Sequence, residues 1–125
     1  VNAITLGDFV NVQDNATIHC TYEKYPTVIG NNVSIGHNAV VHGCTVEDNV
    51  LIGMGAIVMD NCMVEQGCII AAGSVVTQGT RVPAGTLWAG VPAKQIGPVP
   101  ERLRSGEIER IANNYQKYSS WYTEE

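Results

Sequence analysis

Large aromatic side chains are scarce in this chain: aromatics make up 6% of its 125 residues, and only one residue is phenylalanine. An ordinary globular core holds more of them, so the interior has to be narrow and filled by Val, Ile, Ala and Cys. Basic residues are also few. Seven Lys and Arg stand against twelve Asp and Glu, a net charge of −5 with no basic run, which argues against a nucleic-acid partner. No apolar stretch approaches the length of a membrane span. There is no signal-peptide pattern and no initiator Met, and Val1 already lies inside the repeat described below, so further residues are expected upstream. The four cysteines, Cys20, Cys44, Cys62 and Cys68, form no C-x-x-C pair. That spacing argues against a structural zinc site and reads as reduced thiols of a cytoplasmic protein.

What the chain does have is a period of six. Aliphatic residues recur at Val46, Ile52, Val58, Val64, Ile70, Val76 and Val82. Four positions after each stands a small or β-branched residue: Val50, Ala56, Cys62, Cys68, Ser74, Thr80 and Thr86. Leu6, Val12 and Ile18 form an earlier block of the same kind, and Ile29, Ile35 and Val41 another. Six is a multiple of the two-residue strand period and does not suit a helix of 3.6 residues per turn. Each hexad therefore makes a short flat strand and a corner. Three make a triangular coil of about eighteen residues, and successive coils stack at roughly 4.8 Å. The fold class is an all-β, left-handed parallel β-helix of hexapeptide repeats, with Gly and Asn serving corners that often need positive φ.

The phase shifts twice. The step from Ile18 to Ile29 is eleven, so about five residues, around Thr21 to Tyr25, are pushed out from a corner as a loop. The step from Val41 to Val46 is five, an adjustment at Gly43-Cys44-Thr45. The β-helix is expected over residues 1–96, its repeats ending near Leu87, with a Pro-containing crossover at Gly97 to Pro100. Residues 97–125 then hold the crossover and one C-terminal α-helix. Ser105 is its cap, Glu107 and Glu109 sit near its positive end, and Ile108, Ile111, Ala112, Tyr115, Tyr118 and Tyr122 form one apolar face that packs on the outside of the β-helix.

All three histidines lie in the first half. His19 follows Ile18, and His42 follows Val41. With the five-residue loop discounted, Val41 is three hexads after Ile18, so His19 and His42 stack on one face, one coil apart. His37 follows Gly36, belongs to the adjoining face and points away from the other two. The three cannot easily converge within one chain, but in a threefold trimer a neighbour's His37 can complete the set. Three neutral imidazoles plus a water make an open, catalytic type of metal site. Three unrelated surface histidines, or one histidine serving an acyltransferase, are the alternatives that the spacing leaves open.

At these residues the chain resembles the γ-class carbonic anhydrase family. The likeness runs through Asn11-Val12-Gln13-Asp14, His19, Ile35-Gly36-His37-Asn38-Ala39-Val40-Val41-His42-Gly43-Cys44, Ile52-Gly53-Met54-Gly55-Ala56, Ala71-Ala72-Gly73-Ser74 and Gly90-Val91-Pro92-Ala93-Lys94. The Gln-Asp-x4-His and His-x4-His elements carry it, because hexapeptide acyltransferases share the hexads and the Gly-x-Pro-Ala-Lys ending. The resemblance implies a homotrimer with the metal between subunits, His19 and His42 from one chain and His37 from the next. It implies zinc, with iron or cobalt as alternatives, and a metal hydroxide that hydrates CO2 to bicarbonate. It gives Gln13 the task of orienting that hydroxide, Asp14 a polar contact with an Arg of an upstream Arg-Gly-Asp element, and Asn11 and Tyr115 places near the site. The family's acidic loop with a glutamate proton shuttle is short here, with Glu23 alone. Two other classes remain beside this one: an acyltransferase using one histidine as general base toward acyl-coenzyme A, and a non-catalytic trimeric scaffold.

Overall fold

A computed structural model describes residues 3–20 and 25–100 and bears out the left-handed parallel β-helix. The expected C-terminal helix, Tyr115 and Glu23 lie outside the described residues. Three sheets form the faces of a triangular prism. The first holds strands Ile4–Leu6, Thr27–Ile29, Thr45–Val46, Met63–Val64 and Arg81–Val82. The second begins Asn11–Val12, Ser34–Ile35, Leu51–Ile52 and Ile69–Ile70 and ends in Thr86–Gly90 and Ala93–Pro98. The third holds Thr17–His19, Val40–His42, Ile57–Val58 and Val75–Val76. Strands of two or three residues accumulate little of the twist that enforces right-handed crossovers in longer strands, so a left-handed coil is accessible to them. Among the described residues no helix is long and apolar enough to cross a membrane.

The registers reproduce both phase shifts. Ile4 pairs with Thr27, 23 residues on, which is one eighteen-residue coil plus the inserted five. Val28 pairs with Thr45, 17 residues on, which places the one-residue deletion. Thr45 with Met63 and Leu51 with Ile69 then settle to steps of 18. The aliphatic row points inward on every face, and from Ile29 onward its members are buried almost completely. Burying one such side chain contributes roughly 1.5–3 kcal/mol. Leu6 and Val12, 47% and 41% exposed, lie in the first coil, which is stacked on one side only among the described residues.

Two kinds of residue build the corners, and they do different things. Positive φ falls on stacked ladders: Asn15, Asn38, Gly55 and Gly73 on one edge, Gly43, Asn61 and Gly79 on another, and Phe9, Asn32, Asn49, Gly67 and Gly85 on the third. Asn tolerates this left-handed conformation better than other side chains do. Phe9, at φ 58° and 82% exposed, is the one large residue in the ladders. The glycines directly after an inward aliphatic residue serve close approach instead. A Cβ on Gly53 would sit 2.5 Å from the Ala72 nitrogen, and one on Gly30 would strike the Asp48 carboxylate. That carboxylate accepts the Asn31 N–H at 2.8 Å, so the missing side chain makes room for a corner hydrogen bond.

The far end differs from the expected exit segment. Thr86–Gly90 turns back through Val91 and a cis bond to Pro92, then pairs antiparallel with Ala93–Pro98. The boundary expected at residue 96 and the start of the crossover therefore fall inside a strand. Trp88 packs against the core, its indole N–H donating to Thr86 Oγ1 at 3.0 Å. Val99 is buried and donates its N–H to the Gly85 carbonyl at 2.8 Å.

Cys44, Cys62 and Cys68 occupy the small-residue rows and are buried. Desolvation, and then the stacked Cys62 thiol, push the Cys44 thiol from 9.0 up to about 12. Burial raises Cys62 and Cys68 in the same direction.

Two measurements check this packing. Gly53→Ala should lower unfolding stability by about 1–3 kcal/mol, whereas Gly97→Ala, with open space around its Cα, should stay within about 0.5 kcal/mol of wild type; denaturant titration compares them. Because the folded state keeps Cys44 protonated above its ordinary 9.0, its contribution is complete below that pH. Stability should then fall as pH rises from 9.0 toward about 12, and Cys44→Ala should flatten that part of the profile.

Candidate metal centre

Residue pairing on the third face puts Thr17 beside Val40, Ile18 beside Val41 and His19 beside His42. Ile18 and Val41 point inward, so alternation turns the two histidines outward together. Their rings stack with centroids 4.7 Å apart and planes 17° from parallel. His19 Nδ1 and His42 Nε2 are 2.9 Å apart. Two imidazole nitrogens on one tetrahedral zinc stand about 3.3 Å apart, so the pair already nearly matches the spacing that a shared ion requires.

The inserted residues follow this strand in sequence, and Thr27 opens the next described strand. The buried Thr27 hydroxyl donates to the His19 carbonyl and accepts the Gly43 N–H at 2.9 Å. Gly43 N–H also reaches the His19 carbonyl at 2.9 Å. The ends of both histidine strands are thus tied to each other and to the strand that follows the loop.

On its other side His42 meets Asp60, its Nδ1 donating to Asp60 Oδ1. A carboxylate only accepts, so the proton belongs to the imidazole, and the Nε2 lone pair is left toward His19. Asp60 had no place in the sequence reading. Val41 pairs with Val58, so the residue one coil after His42 is Met59, and Asp60 stands one position further on, in the corner rather than on the strand. Only the corner conformation turns its side chain back.

His37 lies in the turn before Val40–His42, at the opposite edge of the third face. The turn at His37 and Asn38 and the strand Val40–His42 lie between its backbone and that of His42. Among the described residues of one chain, no group of three His, Cys, Asp or Glu side chains is gathered to hold an ion.

Gln13 and Asp14 are on the edge of His37, not beside the stacked pair. The Asp14 carbonyl accepts the Asn38 N–H at 3.1 Å, and the Gln13 N–H donates to the Ile35 carbonyl at 2.9 Å. These bonds set Asp14 above His37 and Gln13 above Gly36. Asn11 flanks inward Val12 on the same side as Gln13, one strand residue before it. The chain therefore carries two partial constellations at opposite edges of one face: His19, His42 and Asp60 at one, and Gln13, Asp14 and His37 at the other. Between them the outward positions are Val40, Ile57 and Val75, with Ile57 37% exposed, and Met59, 39% exposed, continues the row of His19 and His42.

Known proteins share this arrangement of sequence. A family profile described as bacterial transferase hexapeptide (six repeats) matches residues 26–56 and 43–78. A Methanocaldococcus jannaschii protein named "Probable carbonic anhydrase" is 54% identical over 118 residues, 94% of this chain and 71% of that protein. Gamma carbonic anhydrase 1, mitochondrial, of Arabidopsis thaliana is 42% identical over 125 residues, 96% of this chain. This chain spans 44% of the plant protein's length. Among solved structures, a hexapeptide transferase family protein from Anaplasma phagocytophilum is 41% identical at a TM-score of 0.79, over 95% of this chain and 69% of that one.

Proposed function

The chain belongs to the γ-class carbonic anhydrase family, and from that premise we propose that it is a metal-dependent carbonic anhydrase, a cytoplasmic homotrimer that converts CO2 and water to bicarbonate and a proton at sites between subunits. The observation that carries this reading is the registered pair of His19 and His42, with ring nitrogens 2.9 Å apart. Zinc suits an all-imidazole set, and iron or cobalt accepts the same donors. The third donor is the partner subunit's His37. Trimer formation would bring its edge against the third face, whose exposed apolar side chains Ile57 and Met59 suit a subunit contact.

Because Gln13 and Asp14 share the His37 edge, they enter the site from the same chain as His37. When bound, the ion lowers the pKa of water to about 7 and so makes a nucleophile available at neutral pH. The Gln13 amide, able both to donate and to accept, orients the attacking oxygen toward CO2, and Asp14 holds that edge in place. The released proton leaves to buffer by way of Tyr115 or Glu23.

Metal content and stopped-flow CO2 hydration on one preparation test the activity. About one metal per chain, with hydration abolished by chelation and restored by zinc, is the expected result. Metal without hydration would leave a scaffold, and a metal-free protein that acetylates with acetyl-coenzyme A would replace this reading by the transferase one. The shared site has its own test. His37→Ala and His42→Ala should each lose metal when expressed alone, and co-expression should return it, because a mixed trimer contains one interface with all three histidines intact. Full metal occupancy in His37→Ala alone would overturn the shared arrangement.

A further inference from the structure

We propose that Asp60 is a positioning residue that holds His42 in the tautomer and ring orientation the metal site needs. The inference rests on the reading of His42 as a ligand. A neutral imidazole carries one proton and one lone pair, and which nitrogen holds which depends on its neighbours. Here Asp60 Oδ1 takes the hydrogen bond from His42 Nδ1. Nε2 is thereby left unprotonated on the side of the ring that faces His19 Nδ1. Without Asp60 the ring could place its proton on Nε2, the nitrogen that would have to bind, or rotate about its Cβ–Cγ bond.

The carboxylate is suited to the task because its backbone is fixed on both sides. Asn61, next in the chain, takes φ 59° and donates its N–H to the Gly43 carbonyl at 2.8 Å. Gly79 N–H donates to the Asp60 carbonyl at 3.0 Å. Asp60 is thus anchored to the coil of His42 above and to the coil of Gly79 below. The carboxylate and the imidazole are 25% and 35% exposed, so water competes only in part for the bond between them.

Two readouts test the assignment. The first is zinc release from the loaded wild-type trimer and from Asp60→Ala to a chromophoric chelator, followed with time. Removing a carboxylate behind a ligand histidine typically weakens metal binding by roughly 10- to 100-fold, and Asp60→Ala should fall in that range. Asp60→Glu should recover part of the loss. The second readout is the pair of His42 ring 15N shifts in metal-free protein. Wild type should show Nδ1 protonated and Nε2 bare, and Asp60→Ala should shift toward a mixture. A change that were merely structural would lower the melting temperature of the metal-free variant without moving the tautomer. If Asp60→Ala does not fold, Asp60→Leu, close in size but without an acceptor, serves for both measurements. Wild-type zinc release together with an unchanged tautomer would overturn the proposal. A wild-type protein that takes up no zinc but shows the Asp60-dependent tautomer would instead overturn the ligand role of His42, and so separates the two readings.

Discussion

Peptide N–H groups of each coil donate to carbonyls of the next along all three faces, as from Gly7 to Ile29, from Gln13 to Ile35 and from Met59 to Val76. Each such bond is worth only about 1 kcal/mol net, but together they fix the register of one coil on another. A slip by one residue would turn the whole inward row, Val46 through Val82, out to solvent. No coil can shift alone. The stacking of His19 on His42 is a consequence of that constraint and needs no attraction between the two rings. Their ring nitrogens stand 2.9 Å apart. The ladder keeps them there, and a cation placed between them would meet donors already in position.

The same ladder explains how the chain absorbs an insertion beside its most sensitive residues. A loop added at a corner costs little chain entropy, because closure cost rises only slowly with length. What has to survive is the pairing on either side of it. Thr27, buried where the chain re-enters the prism, satisfies this through its contacts with the His19 carbonyl and the Gly43 N–H. The step of 23 residues in the first coil and 17 in the second thus leaves the faces aligned. Side chains give way to backbone at the same corners. Glycine after an inward residue stands where the next coil's Asn31 or Asp48 must reach a backbone N–H.

In the proposed trimer, symmetry would supply what a single prism lacks. His19 with His42 and His37 with Gln13 lie on opposite edges of one face, and no bending of so regular a structure brings them together. A site built from two different edges is a head-to-tail contact, and such contacts form closed rings only when the rotation between subunits closes. A threefold axis satisfies that condition and uses every edge alike. The apolar outward positions between the two edges, Val40, Ile57 and Val75, are then the surface that the rotation would cover.

The sequence by itself determined the fold, because a period of six is compatible with strands, closes a triangle in three steps and is visible over seven consecutive repeats. It also determined the stacking of His19 on His42 and the separation of His37, since both follow from counting phase once the inserted residues are subtracted. Only the tertiary structure decided what depends on corners and chain direction. The contact of Asp60 with His42 joins a corner to a strand, where alternation no longer predicts which way a side chain points. The antiparallel return of Ala93–Pro98 along Thr86–Gly90 was hidden because hydrophobic phase specifies facing but not direction. Gln13 and Asp14 could be matched to a site from sequence, but their edge, shared with His37, became clear only when the hydrogen bonds set one coil above the next.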